Sequence, residues 1–327
     1  MGRSVILKIA VLSIVVVGVC ACGPQFEGAG VDGAAEQSKS LPGQTSTSLV
    51  GAIGEPVLYK VDYSDDVMWE RYLSEKGSYK IPEGVIGAVL PHHLITALEL
   101  TRFYRGLSEV ITPRVIVIMS PNHYEAGEAN IQTCNCSYKT FDGVDLRTSG
   151  EELGRLLGAG SAAGSVAMEN ADFEIEHGIY AHANFIKRFF PEAEILPVMI
   201  KKETPREELD RLVEYFEGEF GEGDGGEGLG KSVLFVASVD FAHYMTKEVS
   251  DGHDEVSFDA ISQFDYDAYR NLELDSPGSI YVLSRLSEGG GARQVDLIEH
   301  TNSQDYFYNR YLEETTSHLY ITFSKGM

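Results

Sequence analysis

The stretch Val115–His123, VIVIMSPNH, decides the fold. It opens with an unbroken apolar run, most of it β-branched. A run of this length reads as a strand buried on both faces, as in a parallel sheet covered by helices. Pro121 and Asn122 end the strand, so His123 stands where it opens into a loop. Ligands of open α/β sheets bind beyond the carboxyl ends of the strands. The pattern recurs in Val85–His93 (VIGAVLPHH) and Ser232–His243 (SVLFVASVDFAH). Three buried-type strands therefore deliver His92, His93, His123, Asp240 and His243 to one edge of one sheet.

Around these strands the chain alternates helix and strand patterns. Leu94–Leu107 reads as a helix and Ile131–Tyr138 as an edge strand. Gly150–Leu157 reads as a short helix, followed by a small-residue loop over Gly158–Val166. Tyr180–Phe190 is amphipathic, with Phe185/Phe189 and Ile186/Phe190 as i,i+4 pairs, and Pro191 stops it. Ala193–Ile200 is a further core strand. Pro205 opens a helix with Leu209, Leu212, Val213 and Phe216 on one stripe. Gly218–Gly230 is nearly all Gly, Glu and Asp, a solvated loop. Ser276-Pro277 caps another helix, and strands follow at Val295–Ile298 and His318–Phe323. The order predicts an α/β fold, a central mixed, largely parallel sheet flanked by helices, in one domain over residues 55–327. No phosphate-cradling glycine motif is present.

The amino terminus carries an address. Arg3 and Lys8 precede the apolar run Ile9–Val19, which is short for a membrane span. Val19-Cys20-Ala21-Cys22 then resembles a lipobox. On this reading residues 1–21 are a signal peptide and Cys22 is lipidated, with Cys20 as the alternative. Residues 22–54, rich in Gly, Ser, Ala and Gln, form a flexible tether. The expected location is the cell envelope, on the outer side of the cytoplasmic membrane or in the outer membrane. Loss of Arg3 and Lys8 with the leader takes the formal charge from −24 to −26. Such a surface repels nucleic acid and anionic headgroups. Only Cys134 and Cys136 remain, two apart on an extended segment. They read as unpaired thiols, with a redox pair or metal ligands as alternatives; there is no disulfide framework.

Histidine offers a neutral nitrogen ligand and titrates near neutrality, so clustering at a sheet edge points to metal or proton chemistry. His92 and His123, read as neighbouring strand ends, are the expected ligands. Asp305, in the loop Asn302–Asp305 (NSQD), is the expected third. Two histidines and a carboxylate suit Fe(II) and equally hold Zn(II) to activate water. His93 reads as an exposed neighbour. In Glu174–His182 (EIEHGIYAH), Glu176, His177 and His182 stand at a helix start as acid, base or positioning groups. Asp240 and His243, at i,i+3, form a carboxylate–histidine pair in which the acid orients the ring.

Taken together, VLPHH, MSPNH, EHGIYAH, LPVMI, ASVDFAHY and NSQD resemble the MEMO family, whose bacterial members are called AmmeMemoRadiSam system protein B. The resemblance covers Val85 to Phe323 with the motifs in order. It implies a fold similar to class III extradiol, LigB-like dioxygenases, which use non-haem iron held by two histidines and an acid. The family's metal histidines fall on His92 and His123, and its third ligand position on Asp305. Its EHS…H segment falls on Glu176, His177 and His182, and its SSDFxH segment on Asp240 and His243. PHAGY has become PHHLI, the serine of EHS is Gly178, and SSD is Ser238-Val239-Asp240.

The resemblance implies a metal-binding protein that acts as a non-haem Fe(II) dioxygenase-like redox enzyme; the lipid anchor, read from residues 1–22, sets this chain apart from the plain cytosolic family member. The metal would hold a diol and O₂ side by side while His177 or His243 moves protons. Zn(II) or Cu is the alternative metal. The rival functions are a non-catalytic module binding metal, an anionic ligand or a phosphopeptide, and a Zn-dependent hydrolase. Family association points to AMMECR1-like and radical-SAM proteins as partners.

Overall fold

The structure, a computed structural model, describes residues 54–326 apart from 61–65, 222–227, 308 and 310. The expected leader, Cys22, the tether up to residue 53 and the middle of the Gly218–Gly230 loop lie outside the described residues.

In chain order the elements are β1 (Val57–Lys60), α1 (Asp66–Leu73), β2 (Val85–Leu90), α2 (Ala97–Val110), β3 (Val115–Pro121) and β4 (Ile131–Thr133). Next come β5 (Cys136–Lys139), β6 (Asp145–Arg147), α3 (Gly150–Ala159), β7 (Ala167–Met168), α4 (His177–Tyr180), α5 (Ala183–Phe189) and β8 (Glu194–Ile200). They continue with α6 (Arg206–Phe220), β9 (Val233–Ser238), β10 (His243–Met245), α7 (Lys247–Ser262) and α8 (Pro277–Gly289). The last are β11 (Gln294–Asn302), α9 (Ser303–Tyr306) and β12 (Thr315–Ser324).

The main sheet runs β10-β12-β2-β9-β3-β8-β4-β7, with β11 also paired to β12. Its centre, β2-β9-β3-β8, is wholly parallel, and the flanks are antiparallel at β12 and β4. Side chains of a strand alternate between faces. Along β3, Val115, Val117 and Met119 join one core with Leu212, Phe216 and Leu283 from α6 and α8. Ile116 and Ile118 join the other with Leu100, Phe103 and Ile186 from α2 and α5. Both faces are covered, so the central strands are apolar throughout. Phe235 of β9 packs against the Phe216 and Phe220 rings at 5.3 and 5.9 Å, and its truncation to alanine would cost about 3–5 kcal/mol.

Local sequence explains the helix ends. Pro277 occupies the first turn of α8, where its missing N–H is harmless. Glu207 and Glu208 in the first turn of α6 face its positive end.

Three expectations are corrected, and one helix is added. Ile131–Tyr138 is not one edge strand: β4 stays in the main sheet, while β5 forms a second sheet, β1-β5-β6. Cys134 and Cys136, at the break between them, are joined in a disulfide rather than unpaired. The NSQD segment is not an open loop but runs into the short helix α9. Helix α7 was not foreseen, because its buried face carries Ser250, Asp254 and Ser257 while Val249 and Val256 are exposed. An apolar period, the usual signal of an amphipathic helix, is missing there.

Candidate functional site

The carboxyl ends of β2, β9 and β3 lie side by side in that order. His92 and His123 are therefore not on neighbouring strands. Strand β9 stands between them, ends on Ser238 and leads directly into Asp240.

A hydrogen-bond chain beneath the site orients His92. Ser238 Oγ donates to the Gly178 carbonyl at 2.6 Å. A hydroxyl has one hydrogen, so Oγ must accept from its other partners. These are His92 Nδ1 at 3.0 Å and His182 Nε2 at 3.1 Å. Both rings thus carry N–H at those atoms. His182 Nδ1 then accepts from the Tyr104 hydroxyl at 2.9 Å. Burial, reinforced by the charge of His92, pushes the His182 pKa down to about 3, so this ring is neutral. His92 is left with Nε2 toward the site.

His123 is fixed in the same sense by Glu176. Its Nδ1 lies 2.7 Å from Glu176 Oε1, and its backbone N–H donates to Oε2 at 2.9 Å. Glu176 caps α4, accepting from the Gly178 N–H at 2.8 Å, and is fully buried. Such a carboxylate–histidine pair fixes the ring and raises its basicity as a ligand. His123 Nε2 also faces the site.

Gly178 stands where the related motif has serine, and the reason is steric. A Cβ at this position would lie 2.8 Å from Ser120 Cβ and 3.2 Å from Glu176 Oε1.

Two carboxylates meet these nitrogens. Asp275 Oδ2 lies 3.2 Å from His92 Nε2 and 3.7 Å from His123 Nε2. Asp240 Oδ2 lies 3.5 Å from His92 Nε2, and Oδ1 accepts the His92 backbone N–H at 3.1 Å. The acids are locked together. Asp240 N–H donates to Asp275 Oδ2, and Asp275 N–H donates to the Asp240 carbonyl, each at 3.1 Å.

Charges follow from this packing. Burial opposes a charge on His123, but hydrogen bonds to Asp275 and Glu176 raise its pKa to about 10. Burial likewise opposes a charge on His92, and Asp240 and Asp275 outweigh it, raising its pKa. Burial alone would raise both aspartates; the facing histidines hold both below the usual carboxylate range.

His177 opens α4 and stacks on His123, with ring centroids 4.1 Å apart and planes 23° apart. It stands edge-on to His92 at 5.0 Å. Burial, then the charges of His92 and His123, push its pKa down to about 4, so it is neutral near pH 7. His92, His123 and His177 can each offer a ligand atom within 4.8 Å of one another, and so can His92, Asp240 and Asp275.

The residues fit a divalent cation. Asp275 Oδ1 is buried and has no hydrogen-bond partner. A buried oxygen of this kind requires an explanation, and an ion supplies one. The Nε2 atoms of His92 and His123 both face Asp275 Oδ2, so two nitrogens and a carboxylate oxygen converge where a divalent ion would sit.

Of the expected site residues, the structure brings together His92, His123, Glu176, His177, His182 and Asp240. Asp305 is elsewhere. Its carboxylate accepts the Asn302 N–H at 2.8 Å in a capping box that starts α9, and it lies 3.8 Å from Lys247 Nζ. It belongs to none of the metal-sized groups among the described residues. Asp240 faces His92 rather than orienting His243, which is half-buried on β10 with its ring 5.8 Å from that of Tyr244. His93 is not an exposed neighbour: its Nδ1 lies 3.0 Å from His318 Nε2. Asp275, Ser238 and Tyr104 were missed. The one signal for Asp275 was its place just before the Ser276-Pro277 helix start.

A family model for Memo-like proteins matches residues 73–310. A MEMO1 family protein of Caldivirga maquilingensis is 26% identical over 80% of this chain and 93% of its own length. One from Thermococcus kodakarensis is 23% identical over 82% and 96%. One from Methanosarcina acetivorans is 29% identical over 68% and 80%.

Proposed function

The chain belongs to the Memo-like protein family, and from that premise we propose that its sheet-edge pocket binds a divalent metal ion and uses it on a small ligand. The observation that carries the proposal is the convergence of His92 Nε2 and His123 Nε2 on Asp275, whose second oxygen is unpartnered. Two histidines and one carboxylate are the donor set of non-haem Fe(II) sites, and they also hold Zn(II). The bound ion would supply Lewis acidity and, as iron, redox chemistry toward oxygen.

The chain's own residues do the rest. Ser238, with His182 and Tyr104 behind it, holds His92 in one tautomer. Glu176 holds His123 in the matching one. His177, neutral and two-fifths exposed, is placed to take a proton from a ligand hydroxyl. These features favour a dioxygenase-like enzyme over a passive binder.

The test is anaerobic loading with Fe(II) followed by a screen of catechols for oxygen uptake and ring-opened product. Product formation that is lost in His177→Ala with iron retained supports the enzyme. Saturable ligand binding without product replaces it with the binding module. Activity with Zn(II) and no need for oxygen replaces it with a hydrolase.

Lipidation of Cys22 in the cell envelope is a separate proposal, resting on residues 1–22 alone. No helix of the described residues is long and apolar enough to cross a membrane. Fatty-acid labelling lost in Cys22→Ser and kept in Cys20→Ser is the expected outcome; the reverse overturns it.

A further inference from the structure

Beside the first pocket lies a second histidine cluster. His93 follows His92 at the end of β2, and His318 projects from β12, the neighbouring strand. His93 Nδ1 and His318 Nε2 face each other at 3.0 Å. Asp240 completes the group, with one ligand atom of each residue within 4.8 Å of the others. His318 is fully buried and Asp240 nearly so.

We propose that His93, His318 and Asp240 form a second divalent-metal position, with Asp240 shared between it and the His92–His123 pocket.

The geometry favours an ion over a plain histidine pair. Two metal–nitrogen bonds of about 2.0–2.1 Å at roughly a right angle span about 3 Å, the separation found here. A single shared proton would also fit between the nitrogens; what an ion uses in addition is the Asp240 carboxylate, which offers a third ligand atom within 4.8 Å of both. The other face of His318 is already prepared: Nδ1 lies 3.1 Å from Thr301 Oγ1, which can accept its N–H and leave Nε2 as a lone pair. This is the outer-shell arrangement of metal-bound histidines.

Asp240 already serves the other side. It faces His92 Nε2 at 3.5 Å while grouping with His93 and His318. A carboxylate shared in this way is how two ions are held a few ångströms apart, and paired ions suit substrates that present two oxygen atoms to be polarised together. The ligand class is a borderline first-row divalent ion, as two imidazoles and one carboxylate prefer. The pairing of two ions rests on the metal reading of the first pocket; the second position stands on its own residues.

The experiment strips the full chain with chelator, reloads it anaerobically with Co(II), and counts bound cobalt per chain alongside the visible spectrum. His93→Asn, His318→Gln and His123→Ala are measured in parallel, with circular dichroism to check folding. The expected result is about two ions in wild type and about one in each variant, with different spectra for the His123 and His93/His318 classes. His93→Asn replaces a half-buried side chain, so it reports even if His318→Gln unfolds. One ion in wild type, lost only in His123→Ala, overturns the second position and leaves the first. One ion lost only in the His93 and His318 variants supports the second and overturns the first. Two ions retained in His93→Asn and in folded His318→Gln overturn the proposal, and no ion in wild type overturns both.

Discussion

Ser238 Oγ lies 3.0 Å from His92 Nδ1, and this contact decides which nitrogen His92 turns toward the pocket. The hydroxyl donates its hydrogen to the Gly178 carbonyl, so it can only accept from the ring. Replacing Ser238 with alanine removes that acceptor for His92 and His182 together. Metal affinity should fall about 10- to 100-fold, as when other outer-shell partners of metal histidines are lost. Competition titration with a chromogenic chelator measures it. Affinity equal to wild type would mean that Ser238 does not orient His92.

Gly178 and Ser120 form a second coupled pair. A methyl group at 178 would press on Ser120 Cβ at 2.8 Å, beside the carbonyl that Ser238 uses. Gly178→Ala should destabilise the fold by about 1–3 kcal/mol through overpacking. Ser120→Gly in the same chain should recover most of that loss. Denaturant unfolding of the two single variants and the double variant tests the coupling; simple additivity would contradict it.

The central fold could be read from β2, β3 and β9 because strands covered on both faces must be apolar along their whole length. Their histidines were legible because each follows a strand end. Asp275 was not legible, since its partners come from strands far away in sequence and its own surroundings look like an ordinary helix start. Asp305 misled for the complementary reason: an Asp after Asn302 suits a ligand and a capping box equally, and only the tertiary structure chooses. Helix α7 hid because its buried side is polar, with Asp254 held by His300 and Ser317.

The two aspartates separate by experiment. Asp275→Asn removes a charge 3.2 Å from His92 Nε2 and should weaken metal binding by at least about tenfold. Asp305→Asn alters a helix cap and should change stability by less than about 1 kcal/mol, with metal content unchanged. Elemental analysis after dialysis distinguishes them. Metal lost in Asp305→Asn and kept in Asp275→Asn would return the ligand role to Asp305.

His300 and Asp254 give the fold a pH dependence away from the pocket. His300 Nε2 lies 2.8 Å from Asp254 Oδ2, and this hydrogen bond, against the opposing effect of burial, raises the His300 pKa. A raised folded-state pKa contributes stability that is complete below the unfolded value near 6.5 and is lost as pH rises through the folded value. His300→Gln should therefore cost about 1 kcal/mol more at pH 5.5 than at pH 9. Urea unfolding at the two pH values tests this; an equal cost at both would contradict the charged pair.

The most direct test of the account is the metal content of the chain purified without oxygen, beside the His92→Ala/His123→Ala double variant. The account predicts a stoichiometric first-row divalent metal in the wild type and the loss of the ion held by His92 and His123 in the folded double variant, leaving at most the one bound by His93, His318 and Asp240. Metal absent from both, or a metal content in the double variant equal to that of the wild type, would contradict it.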